Sequence, residues 1–291
     1  MQNCKQNSFY SIIFLLLFVS TTSNIVAQDD LLDALDDDDK TQFELPAFKT
    51  LKIGNLQSTK VVDKGDLFLI VSHRFGPLKD GFDTFLGLDQ ANTKIELLYS
   101  FFKGVQFSIS RESFEKTLAL ASKIQLVKQS NKFPVNITAY GTINRNTELN
   151  ATRFDDDFTL EDADRYSYAL QLLISKRFSK NFSFEIAPSY IRENLQILDE
   201  TITANHNQFA MGFGGRMKLS KRISFNTEYI HNFNRDKNAI YKNSYAFGLD
   251  IETGGHVFQL LFTNGQSTNE PGFISNADGN LAFGFNVVRV F

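Results

Sequence analysis

Four histidines, one cysteine and a scatter of carboxylates are the groups in this 291-residue chain that could do chemistry. His73, His206, His231 and His256 lie far apart, and no two have the spacing of metal ligands. No metal and no cofactor is expected. Cys4 is the only cysteine and precedes the first apolar run. Thiol catalysis and disulfides therefore drop out if that run is a removed leader. Nucleophilic catalysis needs a hydroxyl, thiol or carboxylate beside a base, and no stretch supplies that pair. The acidic run from Asp29 to Lys40 lacks the turn glycine of a calcium loop. The adjacent His73 and Arg74, with Asp89 and Gln90 beyond them, read either as a binding group or as hydrogen-bonded anchors of the intervening loop. Nothing here requires an enzyme.

The elements that position these residues begin with an export signal. Lys5 is the only charge before Asp29, and Ile12 to Val19 is an apolar core too short to span a bilayer. Ile25-Val26-Ala27 follows, so residues 1–27 read as a secretory signal peptide cleaved after Ala27. Losing Lys5 takes the net charge from −3 to −4. That excludes a nucleic-acid partner by charge. No later apolar run approaches the ~20 residues of a helical span. With 30 Phe and no Trp, any interfacial belt must be made of Phe and Tyr.

From Gly65 onward the chain alternates with a period of two. The stretch Asn280 to Phe291 carries it most plainly. Leu281, Phe283, Phe285, Val287 and Phe291 share one face, while Ala282, Gly284 and Asn286 share the other. These aromatic and branched residues predict a closing strand that leaves no edge. About twelve such strands can be counted, joined alternately by tight turns and by longer loops. Tight turns are expected near Lys103, Asn131, Lys180, Lys221 and Gly254. Pro188 falls inside one strand and predicts a bulge there. The expected fold is all-β: an antiparallel up-and-down transmembrane β-barrel with both termini periplasmic. Residues 1–27 are the signal peptide, 28–64 an acidic periplasmic leader and pre-barrel segment, and 65–291 the barrel. Phe43 to Val62 reads either as a loose strand or as a segment tucked into the lumen.

The inward face predicts a lumen network of Glu185, Arg216, Glu228 and Asp250, on four consecutive strands and at similar heights. Arg216 is expected to pair with Glu185 or Glu228. Gly212, Gly214, Gly248 and Gly284 leave space inside, whereas Leu173, Ile230 and Leu261 fill it. An open lumen predicts a small channel or transporter for a solute. A filled one predicts a structural or interaction barrel.

Two resemblances add to this. Ser72-His73-Arg74-Phe75-Gly76, Phe85-Leu86-Gly87-Leu88-Asp89-Gln90-Ala91 and the terminal Arg289-Val290-Phe291 resemble the signature of a Bacteroidetes family of outer-membrane β-barrels. The resemblance implies a signal peptide, a Gram-negative outer membrane and a barrel of unassigned function; it carries over no catalytic residue. His231-Asn232-Phe233 is similar to the His-x-Ser segment of outer-membrane phospholipase A. Here Phe233 stands where the nucleophile belongs, so a lipid-modifying enzyme is the weakest reading. The expected partners are outer-membrane lipid, the barrel-insertion machinery through the C-terminal strand, and a small solute or a periplasmic protein.

Overall fold

A computed structural model describes residues 46–149, 159–195, 206–235 and 240–291. The expected signal peptide and the Asp run lie outside them. Twelve strands form a closed barrel among the described residues. They are β1 (Leu67–Pro77), β2 (Ala91–Phe102), β3 (Val105–Glu112), β4 (Leu118–Val127), β5 (Asn136–Arg145) and β6 (Tyr166–Arg177) in the first half. The second half is β7 (Phe182–Glu193), β8 (Asn207–Lys218), β9 (Ile223–Asn232), β10 (Ser244–Thr253), β11 (His256–Thr263) and β12 (Ala282–Val290). Each strand pairs antiparallel with the next, and β12 returns to β1 with Val287 opposite Val71. Closure leaves no strand edge to template association. No helix among the described residues is long and apolar enough to cross a membrane.

Period two explains why these segments pair this way. On β6, Leu170 and Leu172 face outward and are exposed, while Ala169, Gln171 and Leu173 face inward and are buried. On β4 the outer residues are Leu118, Leu120, Ile124 and Leu126, and Lys123 is buried inside. The closing strand follows the same rule: Phe283 and Phe285 stack from outside on Phe75 and His73 at 5.7 and 5.1 Å. Val287 lies on the same outer face, and the Phe291 amide donates to the Leu67 carbonyl at 2.9 Å. The Arg289 guanidinium lies 4.8 Å from the centre of the Phe291 ring.

Short connections after β2, β6, β8 and β10 lie on one rim, together with the link at 128–135 after β4. Gly104 and Gly255 take positive φ values of 78° and 101°, which a side chain would strain. The opposite rim carries the longer loops, although its 113–117 link is shorter than 128–135. The expected bulge at Pro188 is absent. β7 keeps one register against β8 through the Pro188–Met211 pair. Its ladder to β6 lapses between Ser189 and Ile186 and resumes unshifted. A missing N–H interrupts a ladder there without inserting a residue. The bulges fall at Arg74/Pro77, Tyr99/Phe102 and Gln125/Val127.

Candidate functional site

The barrel is not hollow. Residues 46–62 enter the lumen from the tight-turn rim, reverse at Gly54-Asn55, and return to the same rim to begin β1. The reversal is a small hairpin. Lys52 bridges Gln57, the Ile53 amide donates to the Leu56 carbonyl at 2.8 Å, and the Ser58 amide donates to the Leu51 carbonyl at 3.0 Å. The segment has no strand partner of its own, so its backbone groups must be satisfied by the wall.

The wall supplies them one by one. The Glu228 carboxylate accepts from the amides of Gly54, Asn55 and Leu56 at 3.0, 2.8 and 3.0 Å. The Glu185 carboxylate accepts from the Thr59 amide at 2.9 Å. The Lys123 ammonium donates to the carbonyls of Leu51, Ser58 and Lys60 at 3.1, 3.0 and 3.2 Å. Asn286 donates to the Gly54 carbonyl at 2.9 Å, and Gln259 to that of Ile53 at 3.1 Å. Arg74 holds the Asn55 side-chain oxygen through Nε and Nη2 at 3.1 and 2.7 Å. The Lys52 ammonium lies 3.4 Å from Glu96.

Apolar contacts fill what remains. Ile53 and Leu56 sit over Gly214 and Gly212; a Cβ on Gly214 would lie 2.2 Å from Ile53 Cδ1. With Phe48 they join a buried cluster that includes Leu173, Ile191 and Ile230. Each such side chain contributes about 1.5–3 kcal/mol when fully removed from water. The space that glycines leave in the wall is thus taken by the hairpin.

A second element closes the other rim. The connection between β11 and β12 turns inward and carries the short helix α1 (Glu270–Ser275), capped by the Asn269 side chain at the Gly272 amide. Glu112 anchors its start, accepting from Ser267, from the Thr268 amide and hydroxyl, and from Asn269 at 2.5–3.0 Å. Gln57 donates to Glu270 at 2.8 Å, so hairpin and cap touch. A cavity of about 10 Å³ beside Ile53, Gly54, Glu228 and Asp250 is at the lower bound for one water.

The structure separates the residues that the pattern grouped. Glu185 and Glu228 both lie opposite Gly214, and both face the hairpin. Arg216 is two positions nearer the tight-turn rim, opposite Ser183 and Asn226. It donates to Ser224 at 2.6 Å and lies 3.5 Å from Glu252, so the expected pairing with Glu185 or Glu228 is corrected. Asp250, opposite Ser224, accepts from Gln259 at 2.9 Å. The four groups are therefore staggered along the ladder rather than level. Period two assigns a face but not a partner, and the hairpin's N–H groups take the carboxylates first.

His73 and Arg74 cannot share a site, because successive residues of a strand point to opposite sides. Arg74 points in to Asn55; His73 points out, with its Nδ1 2.9 Å from Thr93 Oγ1. Asp89 and Gln90 belong to the β1–β2 loop, where the Gly76 amide donates to the Gln90 carbonyl at 3.1 Å and the Asp89 amide to that of Thr84 at 3.3 Å. His231 rests on Phe233 and on Asn243 at the outer wall, with no hydroxyl nucleophile between. Lys123, Glu112, Gln259 and Asn286 were missed as site residues. Their signal was a polar side chain at an inward position.

Several solved structures and one family are similar to the chain. The NanC porin in a rhombohedral crystal form is similar at 12% identity, over 77% of this chain and 98% of that one, with a TM-score of 0.49. The KdgM porin is similar at 7% identity, over 78% and 99%, with a TM-score of 0.48. The Acinetobacter baumannii outer membrane protein Omp33 is similar at 9% identity, over 78% and 98%, with a TM-score of 0.44. Likeness of this degree carries no argument about solute or activity. No curated protein matches the chain. Residues 48–291, from within the hairpin to the end of the barrel, match the family described as membrane bound beta barrel domain, DUF5777, and the chain belongs to that family.

Proposed function

We propose that this protein is a porin-like channel of a Gram-negative outer membrane, held shut by its own hairpin. Its tight turns face the periplasm. The supporting observation is the chemistry of the plug's seat. The hairpin is held largely by hydrogen bonds to wall carboxylates and from wall amides, a guanidinium and one ammonium, all of which water can replace. Both arms of the hairpin meet the same rim, so it can withdraw without threading a strand. The cap then remains as a constriction, and a small polar solute fits the lumen that is left. A second reading is a permanently closed barrel that presents its loops. Glu112, with its four hydrogen bonds to the cap, favours that one.

Single-channel recording in planar bilayers separates the two. The full chain is expected to stay closed for long periods, and a chain lacking residues 46–62 is expected to conduct in steps. Silence from both chains would leave the closed barrel as the answer. The membrane placement has its own test. Leu172→Arg and Phe213→Arg should each lower stability by about 2–4 kcal/mol in lipid, because both outer positions would face hydrocarbon. Urea titration in vesicles reads this. Unchanged midpoints would remove those positions from the lipid.

A further inference from the structure

The tight connections have a charge pattern that the channel reading does not use. The five connections 103–104, 128–135, 178–181, 219–222 and 254–255 contain no Asp or Glu. They contain Lys103, Lys128, Lys132, Lys180, Lys221 and Arg222. The Gly254-Gly255 turn, which has no basic residue, is flanked by His256, whose cross-strand partner is Arg289. Loops on the other rim mix signs, with Asp80, Asp83 and Asp89 in one and Glu161, Asp162 and Asp164 in another. Lys103, Lys128, Lys132, Lys180 and Lys221 make no ion pair among the described residues. Asp63 and Asp66 lie on the same rim before β1, but these five lysines pair with neither, and such a set attracts counter-charge from outside the chain.

What lies beside these cations narrows the source. Phe102, Phe133 and Phe178 are exposed within three residues of this basic set, Phe133 in the 128–135 link itself, and Phe291 lies at the same rim. The Lys176 ammonium lies 5.1 Å from the Phe178 ring centre, matching Arg289 on Phe291 at 4.8 Å. A cation packed on an aromatic ring is a pairing suited to a membrane boundary, where amphipathic side chains sit at the headgroup level. A soluble acidic protein would gain nothing from rings that continue into the lipid-facing wall.

We infer that the tight-turn rim is a binding surface for anionic phospholipid headgroups, with the basic residues on their phosphates and the phenylalanines at the top of the acyl chains. The surface is independent of whether the lumen opens. It would select phosphatidylglycerol-type lipids from a zwitterionic leaflet and fix the depth of the barrel in it.

Spin-labelled lipids test this on the full chain in phosphatidylcholine vesicles. Labelled phosphatidylglycerol should show a protein-immobilised fraction at least twice that of labelled phosphatidylcholine, declining with sodium chloride. The combined Lys103→Gln, Lys132→Gln, Lys180→Gln and Lys221→Gln variant should show no preference. A Lys79→Gln, Lys116→Gln control on the other rim should keep it. Folding of each variant is read from its heat-modifiable gel migration; if the fourfold variant fails, Lys103→Gln with Lys221→Gln should halve the preference. Equal immobilisation of the two lipids, or a preference that survives these changes, overturns the proposal. So does competition by inorganic phosphate stronger than by chloride at matched ionic strength, which would mark a site for free phosphate.

Discussion

Replacing Glu228 by alanine should release the hairpin while leaving the barrel closed. Three amides in a row point at that one carboxylate, and no other acceptor among the described residues is bonded to them. A buried donor left without a partner costs about 1–3 kcal/mol. Even at the lower figure, three donors total about 3 kcal/mol, partly offset as water enters the lumen. That corresponds to a roughly 100-fold rise in the released population. Lys52 is buried in the seated hairpin and is the natural reporter. Trypsin should cut after Lys52 far faster in Glu228→Ala than in the parent, with the barrel itself still resistant. Glu228→Gln keeps one oxygen as acceptor and should lie between the two. Undiminished protection of Lys52 in the alanine variant would mean that the carboxylate does not seat the hairpin.

Gly214→Leu should act on the same equilibrium through space rather than hydrogen bonding. Even a bare Cβ at that position meets Ile53 Cδ1 at 2.2 Å, and Leu56 stands 3.7 Å away. Overpacking a filled interior costs typically about 1–3 kcal/mol when the surroundings can shift. Here the wall is fixed by its ladder, so the hairpin is the part that moves. The variant is expected to run as a folded barrel, to expose Lys52 to trypsin, and to conduct in a planar bilayer. Gly215→Leu is the matched control, because Gly215 faces outward and its nearest neighbour, Thr227 Cγ2, is 3.6 Å away. A silent Gly214→Leu variant with Lys52 still protected would show that the wall can yield, and the plug would then not be the closing element.

The two variants also mark what sequence alone could and could not disclose. Lipid demands an apolar group at every second position, so Leu170 and Leu172, or Phe283 and Phe285, announce both a strand and its outer face. The inner face is read by subtraction, which turns Glu185, Arg216, Glu228 and Asp250 inward, and all four are buried. Their partners were hidden for two reasons. Alternation is blind to register, so Arg216 could not be distinguished from Gly214 as the neighbour of Glu228. The partners of Glu185 and Glu228 also lie more than a hundred residues away in 46–62, a stretch of mixed polar and apolar residues with no period. Pro188 misled because a proline in a strand was read as an inserted residue rather than a missing donor. The glycine pair Gly212 and Gly214 was the available clue: two absent side chains on one inner face imply something that fits against them.

The hairpin precedes every strand in the chain, yet its seat is built from both ends of the barrel. Arg74 comes from β1, Lys123 from β4, Glu228 from β9, Gln259 from β11 and Asn286 from β12. A segment that is made before the barrel therefore finds its whole seat only after the barrel is built. Contacts this distant in sequence are slow to form, and the seat is complete only once β12 has paired with β1. A barrel missing its last strand would lack the Asn286 amide at the tip, and its hairpin should be open to an added protease that the finished molecule excludes.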